Sequence, residues 1–156
     1  MKKEIYLILH NIRSLYNVGS IFRTADAAGV KKIYLTGYTP TPTDRFGKIR
    51  SEIHKTALGA ETTVEWQKYS NIGKLISHLK EVRLPSGIVA VEQSPNSIDY
   101  KKFKPRYPLA LIFGNEIRGI SPQILKKCDR IVEIPMHGKK ESLNVSVTAG
   151  IILFSI

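Results

Sequence analysis

Short apolar runs alternate with helix-like segments along almost the whole chain, and this alternation limits the fold more than any other feature. Runs that suit buried strands occupy residues 5–9, 32–36, 88–91, 109–113 and 131–134. Between them lie segments with helical spacing of apolar residues, such as Ile72, Leu75, Ile76 and Leu79. Continuously apolar strands joined by helical crossovers are typical of parallel sheets. The pattern therefore predicts an α/β fold with a mostly parallel sheet and helices on both faces.

Turn-forming residues set further element boundaries. Asn17 can cap a helix that Gly29 can end, and Ser121-Pro122 suit the cap and first residue of a later helix. Alternation predicts a strand from Thr62 to Trp66, whereas residues 93–108 are predicted to be irregular. A chain of 156 residues is long enough for one well-buried core, so we expect a single domain over residues 1–156.

The charge balance favours an anionic partner. The formal net charge is +11, from 24 Lys and Arg against 13 Asp and Glu. Nucleic acid is the partner that such a charge favours, although solubility alone can also account for it. A long loop at residues 37–50 would leave Arg45, Lys48 and Arg50 free to meet an anion, and residues 101–106 form a second basic cluster.

Several functional classes are excluded by what the sequence lacks. The single cysteine, Cys128, rules out an intramolecular disulfide and a cysteine metal cluster, and the four histidines lack metal-site spacing. Neither a phosphate-binding GxxxxGK[ST] motif nor a Gly-x-Ser-x-Gly elbow occurs. With no apolar run near the roughly 20 residues of a membrane span and no signal-peptide pattern, we expect a soluble, cytoplasmic protein without metal.

Residues 130–150 hold the densest group of candidate functional side chains. A predicted strand there is followed by a loop and a helix, and three polar residues near the helix start can act as caps: Ser142, Asn144 and Ser146. The same segment carries Met136 and Leu143, and polar groups beside apolar surface also suit a small-molecule pocket. Local chemistry alone leaves both interpretations open.

Other candidates stand where predicted strands end. Glu92 follows one strand, Gly114-Asn115-Glu116 follow another, and Pro135-Met136 follow a third. In open α/β sheets, ligands bind beyond the carboxyl ends of the strands. This placement favours the pocket interpretation over the capping one.

Two charged residues have competing interpretations. Glu116 can take part in chemistry, or it can pair with Arg118 or cap the next helix. Arg23 lies on the opposite side of its predicted helix from Asn17, and it can be a solvated surface residue or a phosphate ligand, because its guanidinium fork matches phosphate oxygens. His137, in the candidate pocket loop, is a further possible substrate contact.

Three segments taken in order resemble motifs 1, 2 and 3 of the SpoU (TrmH-like) RNA methyltransferases of the SPOUT, or α/β-knot, superfamily. They are residues 11–25 (NIRSLYNVGSIFRTA), 111–121 (LIFGNEIRGIS) and 134–146 (IPMHGKKESLNVS). Residues 55–60 (KTALGA) also resemble a family segment, so the resemblance spans nearly the whole chain.

The resemblance implies a homodimeric enzyme that transfers a methyl group from S-adenosyl-L-methionine to a ribose 2′-hydroxyl of tRNA or rRNA, within a C-terminal trefoil knot. By motif position, the implied cofactor-binding residues are Glu92, Gly114, Ile134, Met136, Ser142, Leu143 and Asn144. The implied catalytic residues are Arg23, which would reach across the dimer to the substrate phosphate, and the positioning residues Asn17, Glu116, Ser142 and Asn144. A free guanidinium stays protonated, so orienting phosphate suits Arg23 better than acting as a base.

The ends of the sequence carry one further expectation. The chain starts at the first predicted strand and stops within the last helix, so we expect target selection to come from this domain or its dimer. The alternatives to a 2′-O-methyltransferase are a non-catalytic dimeric RNA-binding protein with the same fold and an enzyme that methylates a base nitrogen. The presence of the motif residues in all three segments favours the ribose enzyme.

Overall fold

The computed structural model describes residues 3–82, 84 and 87–156. Its strands are β1 (Ile5–His10), β2 (Lys32–Thr36), β3 (Glu65–Tyr69), β4 (Ile88–Val91), β5 (Ile98–Asp99), β6 (Leu109–Phe113) and β7 (Arg130–Glu133). Its helices are α1 (Leu15–Ala28), α2 (Ser51–Ala57), α3 (Ala60–Thr63), α4 (Ile72–Val82), α5 (Pro122–Leu125) and α6 (Val145–Ser155), with a 3₁₀ turn at Tyr100–Lys102.

The strands form one sheet in the order β3-β2-β1-β6-β4-β7-β5, and every paired strand runs parallel to its neighbour. In the centre, Tyr6 of β1 pairs with Lys32 of β2 on one side and with Ala110 of β6 on the other. The predicted α/β class with a mostly parallel sheet is confirmed.

Two apolar cores cover the two faces of this sheet, as alternation along β1 demonstrates. Leu7 and Leu9 pack in a core shared with α1, α2 and α6, whereas Tyr6 and Ile8 pack in a second core with α4. The prediction of helices on both faces is therefore confirmed. The trefoil knot and the single-domain organisation stay predictions.

Helix α1 packs unusually close to α2. A β-carbon added at Gly19 would overlap the Ile53 carbonyl oxygen and the Thr56 hydroxyl of α2. The same Thr56 hydroxyl donates a hydrogen bond to the Tyr16 carbonyl oxygen at 2.9 Å. Gly19 therefore allows the backbones of the two helices to approach each other.

The start of α1 differs from the expectation for Asn17. Ser14 is the N-cap, because its hydroxyl accepts a hydrogen bond from the Asn17 backbone N–H, and Asn17 lies inside the first turn. This leaves the Asn17 side chain available for contacts outside the helix. Gly29 ends α1 as predicted, with φ of 74° in the left-handed region that glycine adopts readily.

The strand predicted from Thr62 to Trp66 is wrong in its first half. Residues 60–63 are helical, and the Thr62 hydroxyl donates to the Gly59 carbonyl oxygen at 2.7 Å. The strand begins only at Glu65, where the backbone can pair with β2. Alternation in a short segment did not distinguish a strand from one helical turn.

The region predicted to be irregular, residues 93–108, contains the edge strand β5 and a 3₁₀ turn. Asp99 stabilises the turn by accepting a hydrogen bond from the Lys101 N–H at 3.0 Å. Pro85 and Gly87 in the sequence also predict the end of the helical segment that contains Leu79, and Pro85 lies outside the described residues. Within the described ranges, no helix is long and apolar enough to cross a membrane.

Candidate active site

A cavity of about 540 Å³ lies beyond the carboxyl ends of β4, β6 and β7, beside the start of α6. Each of these strands contributes its last residues and the following ones to the wall. The position is the one expected for a ligand site in an open parallel sheet. Its volume falls within the range of small-molecule pockets, about 300 to 1,000 Å³.

The predicted cofactor residues, apart from Asn144, line this cavity: Glu92, Gly114, Ile134, Met136, Ser142 and Leu143. Asn144 instead caps α6, because its side-chain oxygen accepts hydrogen bonds from the Ser146 N–H at 2.8 Å and the Ser146 hydroxyl at 2.6 Å. The capping interpretation therefore applies to Asn144, and the pocket interpretation applies to Ser142, which lies in the cavity wall. His137 is exposed and lies outside the lining.

The loop after β6 is held tightly by its own side chains. Asn115 accepts hydrogen bonds from the backbone N–H groups of Ile117 at 2.9 Å and Arg118 at 2.8 Å. A β-carbon at Gly114 would lie 2.6 Å from the Ile120 side chain, so the loop itself requires glycine there. This part of the cavity wall is therefore formed by a closely packed, hydrogen-bonded turn.

Glu92 supports the same loop from the neighbouring strand. Its carboxylate accepts a hydrogen bond from the Ile120 N–H at 2.9 Å and from the Gln93 N–H at 2.9 Å. The side chain is thus engaged in holding the wall. Gln93 in turn donates to the Glu141 carbonyl oxygen at 2.6 Å, which joins the ends of β4 and the loop before α6.

Glu116 connects the cavity to the start of α1. Its carboxylate accepts hydrogen bonds from the N–H groups of Arg13 and Ser14, each at 3.1 Å, and from the Asn17 side-chain amide at 3.3 Å. Neither pairing with Arg118 nor capping of α5 describes this arrangement. Partial burial acts to raise the pKa of the Glu116 carboxyl, but the hydrogen bonds from its own N–H, Arg13, Ser14 and Asn17 outweigh it and lower the pKa.

Asn17 then joins Glu116 to the third motif. Its side-chain oxygen accepts a hydrogen bond from the Asn144 amide at 3.2 Å, while its amide nitrogen donates to Glu116. The amide orientation of each asparagine is assigned from this network. The hydrogen bonds from Asn17 to Glu116 and from Asn144 to Asn17 thus bring together side chains of the three motifs.

Two predicted catalytic residues stand outside this network: Ser142 lies in the cavity wall, and Arg23 lies away from the cavity. Arg23 is exposed on α1 and lines a separate shallow depression with Lys55, Thr56 and Phe154. Within one chain, the cavity and Arg23 therefore belong to different surfaces.

One residue near the site, Tyr38, was missed by sequence reasoning, and the hydrogen bonds of Asn115 were not foreseen. The Asn115 amide donates to the Asn11 carbonyl oxygen and to the Tyr38 hydroxyl, each at 2.9 Å. Asn115 was among the candidates at the predicted strand ends, but its partners could not be read from the sequence. Tyr38, at the start of the 37–50 loop, has no local signal, because its partner lies 77 residues away in sequence.

The profile of the SpoU rRNA Methylase family matches residues 4–154. The chain belongs to this family. SpoU relatives include a putative TrmH family tRNA/rRNA methyltransferase from Staphylococcus haemolyticus, 33% identical over 96% of this chain and 57% of the relative. A 23S rRNA (guanosine-2′-O-)-methyltransferase RlmB from Nitrosomonas europaea is 35% identical over 96% of this chain and 54% of the relative.

A solved structure supports the same fold. The AdoMet-bound rRNA methyltransferase from Sinorhizobium meliloti has a TM-score of 0.85 and 26% identity, over 99% of this chain and 56% of that one. This chain spans just over half the length of these relatives.

Proposed function

We propose that this SpoU family chain transfers a methyl group from S-adenosylmethionine to a ribose 2′-hydroxyl of tRNA or rRNA. The observation that carries the proposal is the cavity at the strand ends, joined to the first motif through Glu116, Asn17 and Asn144. The relatives support it by name, since one is a guanosine-2′-O-methyltransferase of 23S rRNA and another is an AdoMet-bound rRNA methyltransferase.

The residues of the cavity suit S-adenosylmethionine. Apolar side chains of Ile134, Met136 and Leu143 offer surface for the adenosine and the carbon chain, beside backbone groups at the glycine turn. Carboxylates of Glu92 and Glu116 in the wall give a negative potential that favours a sulfonium cation. The pKa of the Glu116 carboxyl lies below its ordinary value of 4.5, so the carboxylate stays charged at neutral pH and in mildly acidic solution.

Bound S-adenosylmethionine supplies a methyl group that its sulfonium has already activated. The task left to this chain is to position the ribose hydroxyl and assist the loss of its proton. Glu116 is committed to backbone and amide donors, so its role is to hold Asn17 in place rather than to accept that proton. Asn17, Asn144 and Ser142 then position RNA beside the cavity.

Arg23 is assigned to the substrate phosphate, which a guanidinium binds through two parallel hydrogen bonds. Because Arg23 lies away from the cavity of its own chain, we assign it to the cavity of a partner in a homodimer. Exposed apolar residues support such an interface: Val147 and Phe154 of α6 are 49% and 65% exposed, and Phe154 borders the Arg23 depression.

We also place the protein in the cytoplasm. Cys128 is a free thiol, and burial raises its pKa to about 11, so it is a structural residue of the kind found in reducing compartments. RNA of the proposed kind is present in the same compartment.

Calorimetry with S-adenosylmethionine tests the cofactor assignment. Wild type is expected to bind, and Leu143→Asp is expected to lose binding, because an unpaired carboxylate that must lose its hydration replaces apolar surface in the cavity wall. Leu58→Asp is the matched control, since Leu58 is 64% exposed outside the cavity. Equal binding by Leu143→Asp, or none by wild type, contradicts the assignment.

Methyl transfer to RNA from cells that lack the gene tests the reaction. After digestion to nucleosides, the labelled product is expected to carry the methyl group on the ribose. A methyl group on a base nitrogen favours the base-modifying alternative. RNA binding with no transfer favours a non-catalytic binding protein.

A further inference from the structure

The loop at residues 37–50 ends in an ordered turn that holds a large aromatic side chain in solvent. The Asp44 carboxylate accepts hydrogen bonds from the N–H groups of Phe46 at 2.8 Å and Lys48 at 2.9 Å. The Asp44 N–H also donates to the Lys48 carbonyl oxygen at 2.8 Å, and Gly47 supplies a φ of 78°. The turn is thus folded before any partner arrives, and at its tip Phe46 is 79% exposed.

The charges on this turn are available to an anion. Asp44 is the one acidic residue of the loop. The hydrogen bond from the Lys48 N–H is the main cause that lowers the pKa of its carboxyl, and desolvation opposes this lowering. Neither Arg45 nor Lys48 takes part in an ion pair among the described residues, and both are exposed. Arg50 is half-buried, so it is less accessible to an anion than Arg45 and Lys48, although the sequence predicted that all three would be accessible.

Arg45 and Phe46 form a joint platform. The Arg45 guanidinium carbon lies over the ring at 4.8 Å from its centroid. An aromatic ring beside a guanidinium plane is the surface on which unpaired nucleobases stack in single-stranded RNA complexes. A paired base in a duplex has its faces covered by neighbours, so this platform favours single-stranded RNA.

The base of the loop is fixed to the wall of the cavity. The Tyr38 N–H donates to the Asn11 side-chain oxygen at 3.1 Å, and the Tyr38 hydroxyl accepts from Asn115. The Lys68 ammonium donates to the Thr39 carbonyl oxygen at 2.9 Å and to the Gly37 carbonyl oxygen. RNA held at the tip is therefore held by a loop anchored beside the proposed reaction site.

We propose that Phe46 and Arg45 form a stacking site for one unpaired nucleobase of the RNA substrate, with Lys48 on the adjoining phosphate. The proposal rests on the proposed function, because it assigns the RNA contacts of the same enzyme. It makes the 37–50 loop the part of the chain that selects single-stranded targets.

Binding of two RNA probes tests the stacking site. One is a single-stranded oligoadenylate of about 12 nucleotides, and the other is an RNA duplex of the same length. Phe46→Leu, which keeps an apolar side chain without a π face, is expected to weaken binding of the single strand about tenfold and to leave duplex binding unchanged. Phe46→Tyr is expected to bind both probes like wild type.

Ile49→Ala is the matched control, because Ile49 is also exposed, at 61%, on the same turn but is not aromatic. It is expected to change single-strand binding less than twofold. In addition, the tryptophan emission of Phe46→Trp is expected to fall when oligoadenylate is added. The emission of wild type, whose one tryptophan is Trp66 in β3, is expected to change less.

The outcomes separate this proposal from the proposed function. If wild type transfers methyl groups to RNA and Phe46→Leu binds oligoadenylate as tightly as wild type, the stacking site is wrong and the enzyme assignment stands. If wild type binds neither probe and methylates no RNA, both are wrong. Equal weakening of single-strand and duplex binding by Phe46→Leu also overturns the stacking site.

Discussion

Glu116 joins parts of the chain that lie about a hundred residues apart. Its carboxylate binds the N–H groups of Arg13 and Ser14 just where α1 begins, so its charge also complements the positive end of that helix. The donor Asn17 stands on the same turn. One side chain thus sets the position of the first motif relative to the cavity.

Replacement of this carboxylate is expected to cost stability in a pH-dependent way. At pH 7, Glu116→Gln should lower the free energy of unfolding by about 1 kcal/mol. This is below the range of about 1.5 to 3 kcal/mol for hydrogen bonds to charged groups, because the Glu116 side chain is partly exposed. The folded pKa lies below the unfolded value of 4.5. The wild-type advantage is therefore complete above about pH 4.5 and disappears as the pH falls through the folded-state pKa.

Urea unfolding of both proteins between pH 7 and pH 3 measures this difference. Glu81→Gln, an exposed change on α4, serves as the control and should match wild type throughout. A constant difference between wild type and Glu116→Gln across the whole pH range would show that the carboxylate charge is not its origin.

At the scale of elements, the close contact between α1 and α2 fixes the position of α1, which carries most of the first motif. Gly19→Ala should raise helix propensity by up to about 1 kcal/mol, yet the added methyl group overlaps the Ile53 carbonyl oxygen and Thr56 hydroxyl. Overpacking of this kind costs about 1 to 3 kcal/mol, so a net loss of stability is expected.

Thermal unfolding of Gly19→Ala measures that net effect. Gly138→Ala is the matched control, because a β-carbon at Gly138 meets nothing within 4 Å. A Gly19→Ala protein more stable than wild type would mean that α1 and α2 move apart at little cost.

Parts of this architecture could be predicted locally, and parts could not. The bounds of β2, β4 and β6 match the predicted runs. In β4 and β6 every residue is apolar and buried, as expected of strands that are covered on both faces. Strand β5 has two half-buried residues at the sheet edge, and nothing local marks it. The hydrogen bond between Asn17 and Asn144 joins residues 127 positions apart in the sequence. Periodicity could not predict this contact, and only the resemblance to the family motifs grouped the two residues in one site.

At the scale of the whole molecule, separation of Arg23 from the cavity requires a partner chain if both serve one reaction. A tandem-purified mixed dimer of Arg23→Ala and Leu143→Asp chains then has one site with an intact cavity and an intact partner arginine. It is expected to show about half of wild-type methyl transfer, although each variant alone is inactive.

The reciprocal dimer provides the control. Wild type paired with a chain that carries both substitutions has no intact site if Arg23 acts on the partner's cavity, so it should be inactive. An active reciprocal dimer together with an inactive mixed dimer would place Arg23 in its own chain's reaction. Sedimentation of wild type as a monomer would contradict the dimer itself.

The strand order also has a consequence for biosynthesis. β6 lies between β1 and β4, although both precede it in the chain. Until residues 109–113 leave the ribosome, a growing chain can pair β1 with β2 and β2 with β3, but one edge of β1 stays open. Open edges recruit strands from other chains, so slow translation just before Phe113 would prolong the period in which nascent chains aggregate.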